Sequence, residues 1–224
     1  TSEVTTINKN IIFDGNGKKL TTTAARGFQI TGGTVAINNL TIDMPNAAEG
    51  NRGINLYNGD TNAALDVTLN NVTINGGKAY AVNIGGGKDN KLTINGSTLT
   101  GYAAINVHTS SVNHTIVVDG STLNGKNHNN NYSFGTVVID GTNAHSLTIT
   151  NTTITTENLE GVTSKYEKVV VGANCTLNWD GEAAVRNILA DSKGGKLYYT
   201  DLQAAITDAA EVSGTVQILG NITT

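Results

Sequence analysis

The ten-residue phrase LTINGSTLTG, beginning at Leu92, constrains this chain more than any other feature, because close copies of it recur. VAINNLTIDM begins at Val35, VTLNNVTING at Val67, IVVDGSTLNG at Ile116 and LTITNTTITT at Leu147. Successive copies start 32, 25, 24 and 31 residues apart. A period of about 24 residues, lengthened by insertions near residues 45–52 and 126–133, accounts for that spacing. Repetition at such a period implies stacked equivalent units, each too small to bury its own apolar face alone.

Each interval also holds a second apolar stretch: GINLYN from Gly53, YAVNIG from Tyr80, AAINVH from Ala103 and TVVIDG from Thr136. One repeat therefore contains three short segments with the period-2 alternation of a β-strand. Nothing between them has helical periodicity before residue 200. The middle of the phrase reads Asn39, Asn71, Gly96, Gly120 and Asn151. Asn and Gly best tolerate the left-handed backbone conformation. A strand that bends sharply without reversing needs such a residue at its corner, and five aligned corners describe a chain that meets the same bend in every repeat. Antiparallel hairpins would need a tight reversal between every strand pair. Several Asp-Gly and Asn-Gly pairs do occur, so a β-sandwich is the weaker alternative.

This pattern resembles the right-handed parallel β-helix of the pectate-lyase-like superfamily, with three strands per coil and an asparagine ladder at one turn. The resemblance spans about Ile11 to Ala184 and implies an all-β solenoid of about six to seven coils. Its core would be a stack of Val35, Ile37, Leu40, Ile42, Val67, Leu69, Val72, Ile74, Leu92, Ile94, Leu99, Val118, Leu123, Leu147, Ile149 and Ile154. The last stretch differs. Thr200 can cap a helix, Leu202, Ala205, Ile206 and Ala209 share one helical face, and Gly214 stops it before the strand TVQIL. Residues 1–190 thus read as a parallel β-helix, and 191–224 as one short α-helix plus strand. That tail resembles segments of bacterial surface repeats, where a helix covers the open end of the solenoid. Read end to start, VQILGNITT followed by TSEVTTINK is one continuous run. The expectation is one unit cut from a tandem array, with neighbouring repeats as partners; the alternative is a tail that caps this unit.

Composition narrows the function. Charged residues make up 14%, against roughly 25% in ordinary domains. A net charge of −4 carries no basic footprint for nucleic acid. No stretch reaches the ~18 apolar residues of a membrane span, so no membrane insertion is expected in this segment, and no signal peptide opens it. Beginning at Thr1 without Met, it reads as a processed or excised fragment. The single cysteine, Cys175, precedes the alternating TLNW and reads as a small buried hydrophobe.

Catalytic chemistry is hard to find. Asp14, Asp119, Asp140 and Asp180 each stand before a Gly, as turn formers do. Glu49, Arg52, Asp60 and Asp66 lie in or near the first insertion, as solvated charges or a small polar site. Neither a paired Asp-Asp nor the Gly-His-Gly and Arg-x-Lys patterns of pectinases occur. His108, His114, His128 and His145 show no metal-ligand spacing and read as turn residues, with His108 and His114 at equivalent ends of one long turn. No cofactor or metal is therefore expected. The stretch GKNHNNNYSFG from Gly125 combines Lys126, His128, Asn130, Tyr132 and Phe134. Amides beside an aromatic suit sugar hydroxyls and a sugar face, so Lys126, His128, Asn130 and Tyr132, with Glu49 and Arg52, are the candidate ligand contacts. Thr41, Thr73, Thr98, Thr122 and Thr153 form a column, with Thr68, Thr93 and Thr148 in another. Such rows resemble those of ice-binding solenoids, but Ala36 and Val117 interrupt the pattern.

The expected function is a non-catalytic structural and adhesive module of a secreted or cell-surface bacterial repeat protein. It would act as a rigid stalk that binds host or matrix glycan or protein. The alternative is a polysaccharide-active enzyme or carbohydrate-binding domain; ice binding stands third.

Overall fold

A computed structural model describes residues 2–59, 63–128, 135–139, 143–158, 167–172 and 174–180, the strand backbones at 185–188, 196–199 and 215–218, and scattered positions between 203 and 210. The chain opens with β1 (Thr5–Ile7), β2 (Ile11–Thr21), β3 (Arg26–Ile30) and β4 (Thr34–Asp43). Three strands then recur in each circuit. The first set is β5 (Arg52–Leu56), β6 (Asp66–Asn70) and β7 (Thr73–Asn75); the second is β8 (Tyr80–Ile84), β9 (Lys91–Asn95) and β10 (Thr98–Gly101). Next come β11 (Ile105–Val107), β12 (Thr115–Asp119) and β13 (Thr122–Asn127), then β14 (Gly135–Ile139), β15 (His145–Thr150) and β16 (Thr153–Asn158). β17 (Glu167–Val171) and β18 (Cys175–Trp179) complete the parallel part.

Two sheets result. One runs β1-β3-β5-β8-β11-β14-β17, every neighbour parallel. The other has two arms sharing the long strand β4: β6-β9-β12-β15-β18 stack from its first half and β7-β10-β13-β16 from its second. All of this pairing is parallel, which excludes the β-sandwich. The fold is all-β, its parallel strands curled into sheets in a manner consistent with a β-solenoid. Register follows the recurring phrase, with Val35 paired to Val67, Val67 to Leu92, Leu92 to Ile116 and Ile116 to Leu147.

Alternation puts one apolar column of each strand inside. Ile37, Leu69, Ile94, Val118 and Ile149 stand in register and are all fully buried. Each contributes roughly 1.5–3 kcal/mol by leaving water. Every inward residue expected from the sequence belongs to this one core. Cys175 is buried beside it.

The arms meet at a bend, and the backbone there is left-handed. The φ angles are 51° at Asn39, 52° at Asn71, 54° at Gly96, 56° at Gly120 and 49° at Asn151. Side chains reinforce the bend from coil to coil. Asn71 Nδ2 donates to Asn39 Oδ1 (2.9 Å), and Asn151 Nδ2 donates to Asp119 Oδ1 (2.9 Å). One position earlier, Asn95 Nδ2 donates to Asn70 Oδ1 (2.9 Å), and Asn70 Nδ2 to Asn38 Oδ1 (2.8 Å). One position later, hydroxyls accept backbone N–H groups from the preceding coil: Val72 to Ser97 Oγ, Ser97 to Ser121 Oγ and Ser121 to Thr152 Oγ1.

Beyond β18 the parallel pattern ends. β19 (Val185–Ile188), β20 (Lys196–Tyr199) and β21 (Thr215–Ile218) pair antiparallel, and β20 also pairs antiparallel with β17. The helix expected between Thr200 and Gly214 falls largely on residues outside those described.

Candidate functional site

On the first sheet Phe28 and Ile30 face the core, so Gln29 between them lies on the opposite surface. Gln29, Asn55, Asn83 and Asn106 stand in register on successive strands. Their amides form a row: Asn55 Nδ2 donates to Gln29 Oε1 (2.9 Å), and the Asn83 amide lies 2.6 Å from those of Asn55 and Asn106. Along it Asn106 Nδ2 donates to Asn83 Oδ1 and Asn83 Nδ2 to Asn55 Oδ1, so every donor points the same way. A buried amide row of this kind satisfies itself along the stacking axis, so only its end and flanks are open to other groups.

Beside that row runs a second column. Arg26 pairs in register with Arg52, and Arg52 with Tyr80. The Arg52 guanidinium sits 6.0 Å from the Tyr80 ring centre, within reach of a cation–π interaction. Tyr80 stacks on Tyr102 at 5.9 Å, and the Tyr102 ring lies 4.5 Å from that of His128. His128 Nδ1 is 3.5 Å from Glu49 Oε1. An unbroken strip of cations and rings thus crosses four coils of one face.

Where the column meets the amide row there is a cleft of about 320 Å3, lined by Arg26, Gln29, Arg52, Asn55, Tyr57 and Gly85. Neither arginine has a carboxylate within ion-pair distance among the described residues. Arg52 donates from Nη1 to the Gly50 carbonyl, and Arg26 Nε is buried without a partner among the described residues. Burial, and then the neighbouring Arg26 charge, lower the Arg52 pKa from its ordinary value.

Three of the residues singled out in the sequence, Glu49, Arg52 and His128, come together through Tyr80 and Tyr102. Lys126 does not join them. It lies on β13 rather than in a loop, and its ammonium pairs with Glu157 at 3.2 Å in the next coil. Asn130 and Tyr132 lie outside the described residues, as do Phe134, Asp60 and Asp140. Asp66 is separated from the Glu49–Arg52 group: on β6 it pairs with Lys91 at 3.8 Å. Asp14, Asp119 and Asp180 accept hydrogen bonds at the bend. Those bonds hold the Asp14 and Asp119 carboxyls below their usual range. The Asn16 backbone N–H has the largest effect at Asp14, and the Asn151 amide at Asp119.

Of the histidines expected at turns, His108 and His114 lie outside strands, whereas His145 opens β15. His108 is an exposed turn residue, bonded through Nδ1 to Ser110. His114 and His145 are instead buried, their ring centres 5.3 Å apart. These rings occupy a column at the start of the first arm, where each accepts a backbone N–H from the coil before it.

The cleft residues outside the sequence expectation are Arg26, Gln29, Asn55, Tyr57 and Gly85, and those of the adjoining strip are Tyr80 and Tyr102. A signal for them was present. RGFQI and RGINL begin 26 residues apart, and FQI, INL, VNI and INV each place one amide inside an apolar triplet. An amide repeatedly set among buried aliphatic residues marks a row of its own.

No family model matches the chain, and no curated protein or solved structure matches it.

Proposed function

We propose that the chain is a non-catalytic, rigid module of a bacterial cell-surface repeat protein, exposing the first sheet as a contact surface for host or matrix glycan or protein. In this reading the curled sheets are a right-handed parallel β-helix of about six to seven coils, of the pectate-lyase-like kind. The preferred hand of parallel crossovers supports that assignment. The observation that carries the reading is lateral hydrogen bonding from coil to coil in three places at once: in the strand ladders, at the bend and in the amide row. Such cross-linking gives a rod whose coils support one another, and a rod projects the face it carries. Binding to a broad glycan and host-matrix array tests it. A reproducible hit lost on changing Arg52 or Tyr80 supports an adhesive module, whereas a hit indifferent to both places the contact elsewhere.

A second reading is a polysaccharide-active enzyme on the same fold. It is favoured by one feature: the His128–Glu49 pair, in which His128 Nε2 is buried with no partner among the described residues. An imidazole oriented by a carboxylate is a plausible general base. Release of new reducing ends from glycans, abolished by His128→Ala, would establish it.

A further inference from the structure

We infer that the cleft between Arg26 and Arg52 is an anion subsite that receives the carboxylate or sulfate group of an acidic glycan. The inference rests on the reading of the first sheet as the contact face and names the ligand class it takes. Arg26 and Arg52 stand in register on adjacent strands, and the Arg26 charge acts unfavourably on the Arg52 guanidinium, a repulsion that a bound anion would relieve. The chain as a whole carries a net charge of −4, so cations without a carboxylate are not forced by composition. Lys19, Lys91 and Lys126 each have an acidic partner. Arg26 and Arg52 have none among the described residues, and they face a cleft. Its volume, about 320 Å3, lies at the lower end of the roughly 300–1,000 Å3 typical of ligand sites, enough for one charged sugar unit rather than a folded partner.

The surrounding groups decide between a glycan and an acidic peptide. The lining offers guanidinium forks for an oxyanion, the Gln29 amide at the end of the row for hydroxyls, and the Tyr57 ring for a sugar face. It offers no aliphatic side chain that a peptide's apolar residues could fill. The site lies on a sheet face rather than a sheet edge, so strand addition by a peptide has no free backbone to pair with.

The test compares retention of the intact chain on dextran sulfate (sulfate only), hyaluronan (carboxylate only), neutral dextran and poly-L-glutamate. The expected result is retention on one or both acidic glycans at least ~tenfold above dextran and poly-glutamate, with the stronger of the two identifying the oxyanion. Arg26→Gln should reduce that binding at least ~tenfold while leaving the unfolding transition cooperative, since no side-chain hydrogen bond or ion pair among the described residues uses Arg26. Lys91→Gln removes the same charge from another face and should leave binding unchanged. The proposal is overturned if dextran is held as well as the acidic glycans, if Lys91→Gln weakens binding as much as Arg26→Gln, or if poly-glutamate binds equally. Wild-type retention that survives a rise from ~0.05 to ~0.5 M salt would also overturn it, because an oxyanion held by two partly exposed arginines must be screened. Should the chain bind neutral glycans or a matrix protein but no acidic glycan, the anion subsite fails and the adhesive reading stands.

Discussion

Two columns run along this molecule, and the contrast between them explains much of its design. The bend column, Asn39, Asn71, Gly96, Gly120 and Asn151, lies at the junction of the two arms, where every residue has a φ near 50°. The second column precedes the first arm and reads Asn90, His114, His145 and Cys175, all buried. At the first three of these the side chain accepts a backbone N–H from the coil before it. Leu65 donates to Asn90 Oδ1 (2.9 Å), Asn90 to His114 Nδ1 (3.1 Å) and His114 to His145 Nδ1 (3.1 Å). Backbone conformation selects the residue in one column; acceptor chemistry selects it in the other. Asn meets both demands, Gly only the first and neutral His only the second.

The largest expected effect comes from removing an acceptor in the buried column. His114→Leu fills a similar volume but leaves the Asn90 N–H without its partner, which costs about 1–3 kcal/mol for a buried donor. His114→Asn restores an acceptor of the kind already present at Asn90, although it fills less space. The expected order of urea midpoints is therefore wild type, then Asn, then Leu. If Leu equals or exceeds Asn, packing rather than acceptance governs the column and the contrast collapses.

A titration sharpens the same point. Because Nδ1 accepts, the neutral His114 ring must carry its proton on Nε2, and protonating Nδ1 breaks the bond to Asn90. Burial above all, with the neighbouring His145, pushes the His114 pKa down from 6.5 to about 4. Burial lowers His145 likewise. The unfolded chain then binds the proton first as pH falls, so stability is lost on acidification. Its contribution is complete above about 6.5, declines as pH falls toward about 4, and is gone below that. Thermal midpoints measured across this window should fall for wild type and fall less for His114→Asn. The lowered Asp14 and Asp119 carboxyls act in the same direction, but only at more acid pH. Equal slopes for wild type and His114→Asn above pH 4 would remove the imidazole from the account.

The contrast also governs what could be read from the sequence. A left-handed φ admits so few residue types that the bend column is visible as Asn or Gly in every copy, and with it the period, the registers and the apolar core. The acceptor column offers no such alphabet: Asn90, His114 and His145 share no obvious property until a backbone N–H is seen pointing at each of them. The strip beside the cleft was legible only in part. Arg52, Glu49 and His128 stood out as polar residues in or near insertions, but their meeting depends on Tyr80 and Tyr102, which lie 22 residues apart in sequence and stack at 5.9 Å across adjacent coils. Lys126 looked equivalent to His128 in sequence. Extending β13 to Asn127 placed Lys126 opposite Glu157 instead.

The smallest effects belong to the bend column, and they test its side of the contrast most cleanly because Asn71 is exposed. Asn71→Val keeps the site solvated but puts a β-branched residue at a φ of 52°, which costs about 1–2 kcal/mol. Asn71→Gly removes the amide and its 2.9 Å bond to Asn39 while relieving the backbone. It should change stability by no more than ~0.5 kcal/mol, since an exposed hydrogen bond exchanges readily with water. Gly96 and Gly120 already occupy this column with open space where a side chain would lie, so a glycine there is compatible with stacking. Chemical denaturation of the pair decides the matter. Val far below Gly means that conformation selects the bend residue; equal losses would mean that the amide ladder itself holds the coils together, and the two columns would then obey one rule.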